Sequence, residues 1–188
     1  MLKVAITGNI ASGKSLFESF LKNLGFKVLC LDNVTHLLYE NSDVLKDFLL
    51  KKFNTISRAE ISKKVFKNPS LKSELEKAIY PLILDEMEKF FIENKSEKYV
   101  FVSAAVLFEA GFKQYFDKII FIKADENIRL QRLMDRNNLS KDEAKIRIKS
   151  QKPEDEKIKL SDFVIDNSGT VLELENAANA FISKLSAL

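Results

Sequence analysis

A glycine-rich segment near the start of the chain has the residue types and spacing for phosphate chemistry. Residues 8–15 read GNIASGKS and fit the pattern G-x-x-x-x-G-K-[ST] at every position. Gly8 and Gly13 would let consecutive backbone N–H groups point into one concavity, and Lys14 would bring a mobile positive charge to phosphate oxygens. The Ser15 hydroxyl is suited to ligate a Mg²⁺ ion that bridges the phosphates. The pattern predicts nucleoside triphosphate binding, and a glycine-rich turn that binds nothing stays the alternative.

The elements around this segment are those that a phosphate-binding loop requires. An apolar run predicts a strand over 2–7, and apolar residues at helical spacing predict a helix over 14–24. Further strands are predicted at 27–31, 98–103, 117–123 and 163–165. Further helices are predicted at 33–39, 44–53, 57–66, 70–91, 125–136, 140–150, from Pro153, and at 170–185. The alternation predicts an α/β fold, a P-loop NTPase-type parallel five-stranded sheet flanked by helices.

Side chains that follow the strands should lie at the site, because ligands bind such sheets at the carboxyl ends of the strands. The positions are those just after residues 7, 31, 103 and 123. Asp32 is the candidate base or orienting group for an acceptor hydroxyl. Capping of the helix at Asn33 is the alternative for Asp32, and the two roles can coexist. No Asp ends the third predicted strand, so Mg²⁺ would depend on Ser15, the phosphates, water and Asp32.

A basic segment follows the fourth predicted strand. Residues 129–160 contain ten Lys and Arg against six acidic residues, whereas the whole chain of 188 residues has a net charge of +3. Arg129, Arg132 and Arg136 recur at helical spacing and share one helix face. The cluster could close over a nucleotide as a lid and stabilise charge on the transferring phosphoryl group. A solvated basic face is the alternative.

Composition excludes several classes of protein. One Cys and one His cannot form a disulfide framework or a structural zinc site, and a nearly balanced charge gives no reason to expect nucleic acid as the partner. Every apolar stretch is interrupted by charges, so no membrane span or signal peptide is expected. Asn94-Lys95-Ser96-Glu97 departs from the guanine motif N-K-x-D in its last residue, and it lies at the end of a predicted helix, whereas a GTPase has this motif after a strand. The short chain favours a small-molecule kinase.

Taken together, several segments resemble the dephospho-CoA kinase family almost from end to end. The phosphate-binding loop is common to many families, whereas the other segments are specific in combination. They are VLCLD at 28–32, FKNPSLKSELEKAIYPLI at 66–83, VLFEAG at 106–111, RLQRLMDRN at 129–137, SQ at 150–151 and SDFVIDNSG at 161–169.

The resemblance implies ATP-dependent phosphorylation of the ribose 3′-hydroxyl of dephospho-CoA. It implies a core at 1–32, 96–124 and 161–188, a helical acceptor-binding insertion at 33–95 and a lid insertion at 125–155. In the family the residue matching Asp32 is the proposed base, Arg132 and Arg136 match lid arginines that contact phosphates, and Asn167 matches a residue near the adenine of ATP. The predicted ATP-binding residues are Gly8, Asn9, Ile10, Ala11, Ser12, Gly13, Lys14, Ser15, Leu16 and Asn167.

Departures from the family pattern concentrate on the acceptor side. The usual D-A-D is Cys30-Leu31-Asp32, the usual Arg is His36, the usual His-Pro is Tyr80-Pro81, and Ala105 stands where the family has Pro. His36 is a candidate ligand of an acceptor phosphate or an ordinary surface residue. Tyr80 could replace a histidine hydrogen bond or serve only in packing. Glu109 could orient the acceptor or a metal-bound water, or it could cap a helix.

The expected substrates are ATP and dephospho-CoA, with Mg²⁺, and neither nucleic acid nor membrane is an expected partner. We expect a cytoplasmic monomer, and an oligomer stays open. Two alternatives to this function stay open. One is another small-molecule P-loop kinase that acts on a nucleoside, nucleotide or sugar, and the other is a non-catalytic ATP-binding module.

Overall fold

The structure, a computed structural model, describes residues 1–66 and 68–186. Its strands are β1 (Leu2–Gly8), β2 (Lys27–Cys30), β3 (Tyr99–Ser103), β4 (Lys118–Lys123) and β5 (Phe163–Asp166). Its α-helices are α1 (Lys14–Asn23), α2 (Leu31–Asn41), α3 (Asp43–Phe53), α4 (Arg58–Phe66), α5 (Pro69–Glu93), α6 (Glu126–Asn137), α7 (Lys141–Lys149), α8 (Glu154–Lys159) and α9 (Val171–Ser186). Each predicted strand and helix is present with its ends within two residues of the prediction. A 3₁₀ helix at Phe112–Tyr115 was not predicted.

The strands form one sheet in the order β2-β3-β1-β4-β5. β1 lies between β3 and β4 and pairs with both in parallel, with Ile6 opposite Ser103 and Gly8 opposite Ile122. β4 in turn pairs in parallel with β5. The prediction of a parallel five-stranded α/β sheet is confirmed, and the parallel pairing brings the ends of β3 and β4 beside the end of β1.

The chain divides into two compact units, the first of which contains residues 1–28 and 96–188. Its core forms because the central strands are continuous apolar runs and because α1 and α9 each bury one apolar face. The buried residues of this core are Val4, Ile6, Phe17, Leu21, Tyr99, Phe101, Ile120, Ile122, Ile165, Leu174, Ala178, Phe181 and Leu185. α1 packs against α9, with the rings of Phe17 and Phe181 edge to face at 6.4 Å. This packing fixes the helix that follows the glycine-rich loop.

The second unit, residues 29–95, is helical. The 25-residue helix α5 packs against α2, α3 and α4, and it continues through Pro81 as one helix. Asn68 caps α5, since its Oδ1 accepts hydrogen bonds from the N–H groups of Ser70 and Leu71. Ile79, Ile83 and Met87 are buried at helical spacing on the inner face of α5.

A helix that crosses a membrane needs about 20 consecutive, mostly apolar residues. Over residues 1–66 and 68–186, no helix is both long and apolar enough to cross a membrane.

Candidate nucleotide site and acceptor-side residues

The glycine-rich segment forms the turn between β1 and α1 that the sequence predicts. β1 ends at Gly8, α1 begins at Lys14, and the N–H of Ser12 donates to the carbonyl of Asn9 at 3.0 Å to close the turn. The carbonyl of Gly13 accepts from the N–H of Leu16 at 3.0 Å, so Gly13 initiates the helix. The positive end of the helix dipole therefore lies beside this turn, which is the arrangement that binds phosphate groups.

Both glycines of the loop occupy positions that a side chain could not share. A Cβ on Gly8 would lie 2.5 Å from the carbonyl oxygen of Ile122 on β4. Gly13 has φ +92°, and a Cβ there would lie 1.9 Å from Nδ2 of Asn167. Asn167 itself is buried, and its Nδ2 donates to the carbonyl of Ser12 at 2.7 Å. Asn167, which was predicted to lie near adenine, therefore holds the backbone of the loop.

The Lys14 side chain lies in a buried cluster with two residues that the sequence reasoning missed. Its Nζ lies 2.6 Å from Oγ of Ser103 and 3.1 Å from Oε1 of Glu18, and the Ser103 hydroxyl donates to the same Glu18 oxygen at 2.5 Å. Glu18 is 5% exposed and Ser103 is fully buried. A signal was present, since Glu18 interrupts the apolar stripe of α1 one turn after Lys14 and Ser103 ends a strand that was expected at the site.

The segment predicted as a lid, residues 125–155, packs directly on the phosphate-binding loop. Leu130 and Leu133 of α6 pack with Ala144 and Ile148 of α7, and the side chains of Ile10 and Ala11 lie against this cluster. The Ile10 N–H also donates to Oε1 of Gln151 at 2.7 Å. Ala11 has φ +61°, a left-handed conformation that is strained for a residue with a Cβ. Packing against α6 and α7 provides the support for this strained conformation.

The three arginines on α6 have different environments. Arg129 is buried, donates from Nε to the carbonyl of Ala124 at 3.0 Å and places Nη2 3.6 Å from Oε2 of Glu154. Arg132 lies against the loop, since its Nη1 would be 3.8 Å from a Cβ on Gly13. That buried nitrogen has no hydrogen-bond partner among the described residues, which leaves a donor for an anion beside the loop. Arg136 is exposed and donates to the side chain of Asn137.

Glu109 follows β3 and forms an ion pair with a buried lysine of α8. Its Oε1 lies 2.7 Å from Nζ of Lys157, a side chain that is 1% exposed. The 3₁₀ helix that follows is capped by Gly111. The alternative in which Glu109 caps a helix is therefore wrong, and the ion pair is the contact that holds it.

Asp32 lies in the second unit, in the first turn of α2. The strand β2 ends at Cys30 and the helix begins at Leu31, so Cys30 is the N-cap and Asp32 is already helical. The alternative in which Asp32 caps the helix at Asn33 is therefore wrong. The apolar Leu31 extends the strand-like run by one residue, which explains why the boundary was misplaced. The negative charge of Asp32 at this position is favoured by the helix dipole.

His36 lies one turn after Asp32 on α2 and contacts an arginine from α4. Its Nδ1 is 3.1 Å from Nη1 of Arg58, and its Nε2 is 3.3 Å from Oε1 of Glu40. Because a guanidinium can only donate, Nδ1 accepts and the ring proton is on Nε2. The guanidinium of Arg58 also lies 5.3 Å from the centre of the Tyr39 ring.

The sequence did not indicate Arg58 as a site residue, because it lies 22 positions from its contact His36 in the chain. Burial raises the pKa of Tyr39, and the charge of Arg58 opposes this. The other acceptor-side candidate, Tyr80, is half-buried on α5.

The residues of the loop fit a Mg²⁺ ion that is shared with a nucleotide, as opposed to one held by protein alone. The described residues contain no group of three or more His, Cys, Asp or Glu side chains that could form a metal site. Ser15 is exposed in the first turn of α1, where its hydroxyl can reach a ligand bound at the loop. Such a donor set is typical of Mg²⁺ sites, because Mg²⁺ takes few protein ligands and completes its coordination shell with phosphate oxygens and water.

Comparison with known proteins identifies one family. A sequence model of the dephospho-CoA kinase family matches residues 2–173. The chain is 34% identical over 192 residues to dephospho-CoA kinase from Lactobacillus acidophilus, with 97% of this chain and 96% of that protein covered.

Two solved structures are also similar. The dephospho-CoA kinase from Campylobacter jejuni matches with a TM-score of 0.71 and 32% identity, covering 98% of this chain and 97% of that one. A protein from Thermus thermophilus matches with a TM-score of 0.85 and 29% identity, with the same shares covered.

Proposed function

Because the chain belongs to the dephospho-CoA kinase family, we propose that it transfers the γ-phosphoryl group of ATP to the ribose 3′-hydroxyl of dephospho-CoA, giving coenzyme A and ADP. One observation carries the proposal. The family match spans residues 2–173 and contains a complete phosphate-binding loop in its required place between β1 and α1.

The donor side is formed by the loop and the residues packed on it. The backbone from Gly8 to Leu16 surrounds the phosphates, and Asn167 keeps that backbone in place through the carbonyl of Ser12. Lys14 brings its ammonium to the β- and γ-phosphates, and Arg132 adds a guanidinium from the lid. Positive charge at these positions stabilises the charge that develops on the transferring group.

Ser15 is the proposed protein ligand of Mg²⁺. When bound with ATP, the ion neutralises phosphate charge. The protein's part is to present the hydroxyl at the start of α1, where the loop already concentrates N–H donors.

The acceptor side is assigned to the second unit, with Asp32 as the base. In the proposed step the 3′-oxygen forms a bond to the γ-phosphorus, the bond from that phosphorus to the β–γ bridging oxygen breaks, and ADP leaves. The proton of the hydroxyl passes to the Asp32 carboxylate. His36, Tyr80 and Glu109 stay the predicted acceptor contacts. To them we add Arg58, because its guanidinium is hydrogen-bonded to the predicted contact His36 and is a group that binds phosphate well.

The experiment is a coupled ADP-release assay with identification of the product. Purified protein with ATP, Mg²⁺ and dephospho-CoA should give coenzyme A and ADP in equal amounts. Asp32→Asn should lower kcat by about 10²- to 10⁴-fold, because the amide cannot accept the proton, with the Kd for ATP unchanged. A panel of nucleosides, nucleotides and sugars tests the alternative acceptors.

A matched control is Asp43→Asn, which makes the same change in the first turn of α3, also at an exposed position. It should turn over at the wild-type rate. Absence of coenzyme A at high enzyme concentration would overturn the proposed function, and ATP binding without turnover on any acceptor would favour the non-catalytic module. Near-normal kcat in Asp32→Asn would overturn only the assignment of the base. The cytoplasmic location and the monomeric state expected from the sequence stay predictions.

A further inference from the structure

A carboxylate is buried directly beneath the phosphate-binding loop. Glu18 is 5% exposed, and its Oε1 receives the Ser103 hydroxyl at 2.5 Å and the Lys14 ammonium at 3.1 Å. Burying an ionised carboxylate is costly unless it is paired and hydrogen-bonded, and this cluster supplies both. A Leu or Ala at this position would pack into the apolar face of α1 without that cost. The pairing offsets the cost of burying this carboxylate only while the Lys14 ammonium stays beside it.

The end of β3 is the place where a metal-binding acid is expected and is not found. In P-loop NTPases Mg²⁺ is held by the loop Ser or Thr together with an Asp from a neighbouring strand. Here β3 pairs with β1 so that Ser103 lies opposite Ile6, two residues before the loop begins at Gly8. Ser103 carries no charge, but its hydroxyl is directed to the carboxylate of Glu18.

Glu18 is placed to supply that acid from α1 instead. It follows Lys14 by four residues and the proposed metal ligand Ser15 by three, so its side chain is one helical turn from each of them on α1. We propose that Glu18, oriented by Ser103, is the acid of the Mg²⁺–ATP site and takes the role that a strand-end Asp has in related folds. In the structure the Lys14 ammonium is paired with the Glu18 carboxylate. When it turns to the phosphates, the carboxylate is left to accept hydrogen bonds from water that Mg²⁺ retains.

The inference rests on the proposed use of ATP, but its test needs no acceptor and no turnover. The Kd of the non-hydrolysable analogue adenylyl imidodiphosphate is measured by calorimetry in EDTA and again in Mg²⁺, and the ratio of the two gives the gain in affinity due to the metal. In Glu18→Gln this gain should fall about tenfold, because the amide keeps the hydrogen bond from Ser103 and loses the charge. The Kd in EDTA should stay equal or improve, since Lys14 is released from its ion pair.

A double variant separates the acid's role from its contribution to folding. Glu18→Ala with Ser103→Asp moves the carboxylate to the end of β3, and it should recover the metal-dependent gain to within about threefold of wild type. Glu175→Gln on α9, an exposed position, is the matched control and should change neither Kd. Thermal unfolding of each variant shows whether the fold is kept.

Two results would overturn the inference. One is a metal-dependent gain in Glu18→Gln equal to that of wild type. The other is an equal loss of affinity in EDTA and in Mg²⁺, which would show that Glu18 only supports Lys14 or the fold. Neither result depends on whether the protein forms coenzyme A, so failure of the inference and failure of the proposed function remain distinguishable.

Discussion

The donor-side and acceptor-side residues differ in how the fold holds them. Lys14, Glu18, Ser103 and Asn167 are all buried, and three of their hydrogen bonds connect parts of the chain that lie 85 to 155 residues apart. Asp32, His36 and Arg58 are exposed on the surfaces of helices. Side chains of a buried network are each held by several protein partners, whereas exposed side chains can adjust more freely to a ligand. We therefore expect donor-side changes to alter kcat and stability, and changes at exposed binding residues to alter mainly the acceptor KM.

The sharpest test of the donor side is removal of the Lys14 ammonium. Lys14→Ala should lower kcat/KM by about 10³-fold, because it removes a positive charge from the transferring phosphoryl group and leaves the Glu18 carboxylate without its cation. Steady-state kinetics and ATP affinity measure the effect. Lys22→Ala, in the exposed last turn of the same helix, should leave both unchanged. A loss of less than tenfold would contradict the view that this buried cluster is the catalytic part of the donor side.

The sequence could predict features that depend on neighbouring residues, but it could not predict contacts between distant parts of the chain. The loop was predictable because its chemistry is local, with Gly8, Gly13, Lys14 and Ser15 falling within eight residues. The parallel sheet was predictable because apolar runs alternate with helical patterns. The role of Asn167 in bracing the loop was not, because it depends on a contact across 155 residues that no local pattern contains.

The Glu18–Ser103 contact was missed for a related reason. A Glu on a helix and a Ser at a strand end are common residues until the register of β1 and β3 brings them together. On the acceptor side the family pattern drew attention to His36, but nothing in the sequence connected it with Arg58. The roles of Asp32, His36, Tyr80 and Glu109 in binding or catalysis stay predictions.

Gly13→Ala tests how tightly the loop backbone is fixed. The substitution forces a Cβ into a left-handed conformation and against Nδ2 of Asn167, so we expect a loss of stability of about 2 kcal/mol or more, with weakened ATP binding. Urea unfolding and ATP titration measure the two effects.

Gly25→Ala is a matched control for Gly13→Ala, because Gly25 has φ +89° and no heavy atom would lie within 4 Å of its new Cβ. It should lose only the stability that the left-handed backbone conformation costs a residue with a Cβ, and it should bind ATP as wild type does. Equal losses of stability in the two variants would mean that the Asn167 contact can relax, and the donor side would then be less rigid than the comparison requires.

On the acceptor side, Arg58→Ala should raise the KM for dephospho-CoA about tenfold and leave the KM for ATP unchanged, because one charge-assisted contact is lost. His36→Ala should have a smaller effect in the same direction. The loss of binding free energy in the double variant should be smaller than the sum of the losses in the two single variants, since the two side chains are in contact at 3.1 Å. Initial rates with each substrate varied in turn give both constants. Lys63→Ala on α4 is the control, and an equal rise in the KM for ATP would contradict a specific acceptor role.

The smallest expected effect concerns the pH dependence of the lid. Burial raises the pKa of Glu154, while the nearby charge of Arg129 opposes the shift. Because the folded protein holds this proton more tightly than the unfolded chain does, the stabilising contribution is complete below the ordinary carboxyl pKa and is lost as the pH rises through the folded value. The Gln side chain in Glu154→Gln has no proton to lose, so the melting temperature of this variant should rise relative to that of wild type as the pH rises.

Thermal unfolding of wild type and Glu154→Gln over about pH 4 to 7 measures the difference. Glu156→Gln lies in the first turn of the same helix at an exposed position and should run parallel to wild type. If the Glu154→Gln profile also ran parallel to that of wild type, the charge of Arg129 would fully offset the effect of burial on the Glu154 carboxyl. A rising difference would instead show that burial outweighs the charge of Arg129, consistent with Oε2 of Glu154 having no hydrogen-bond partner among the described residues.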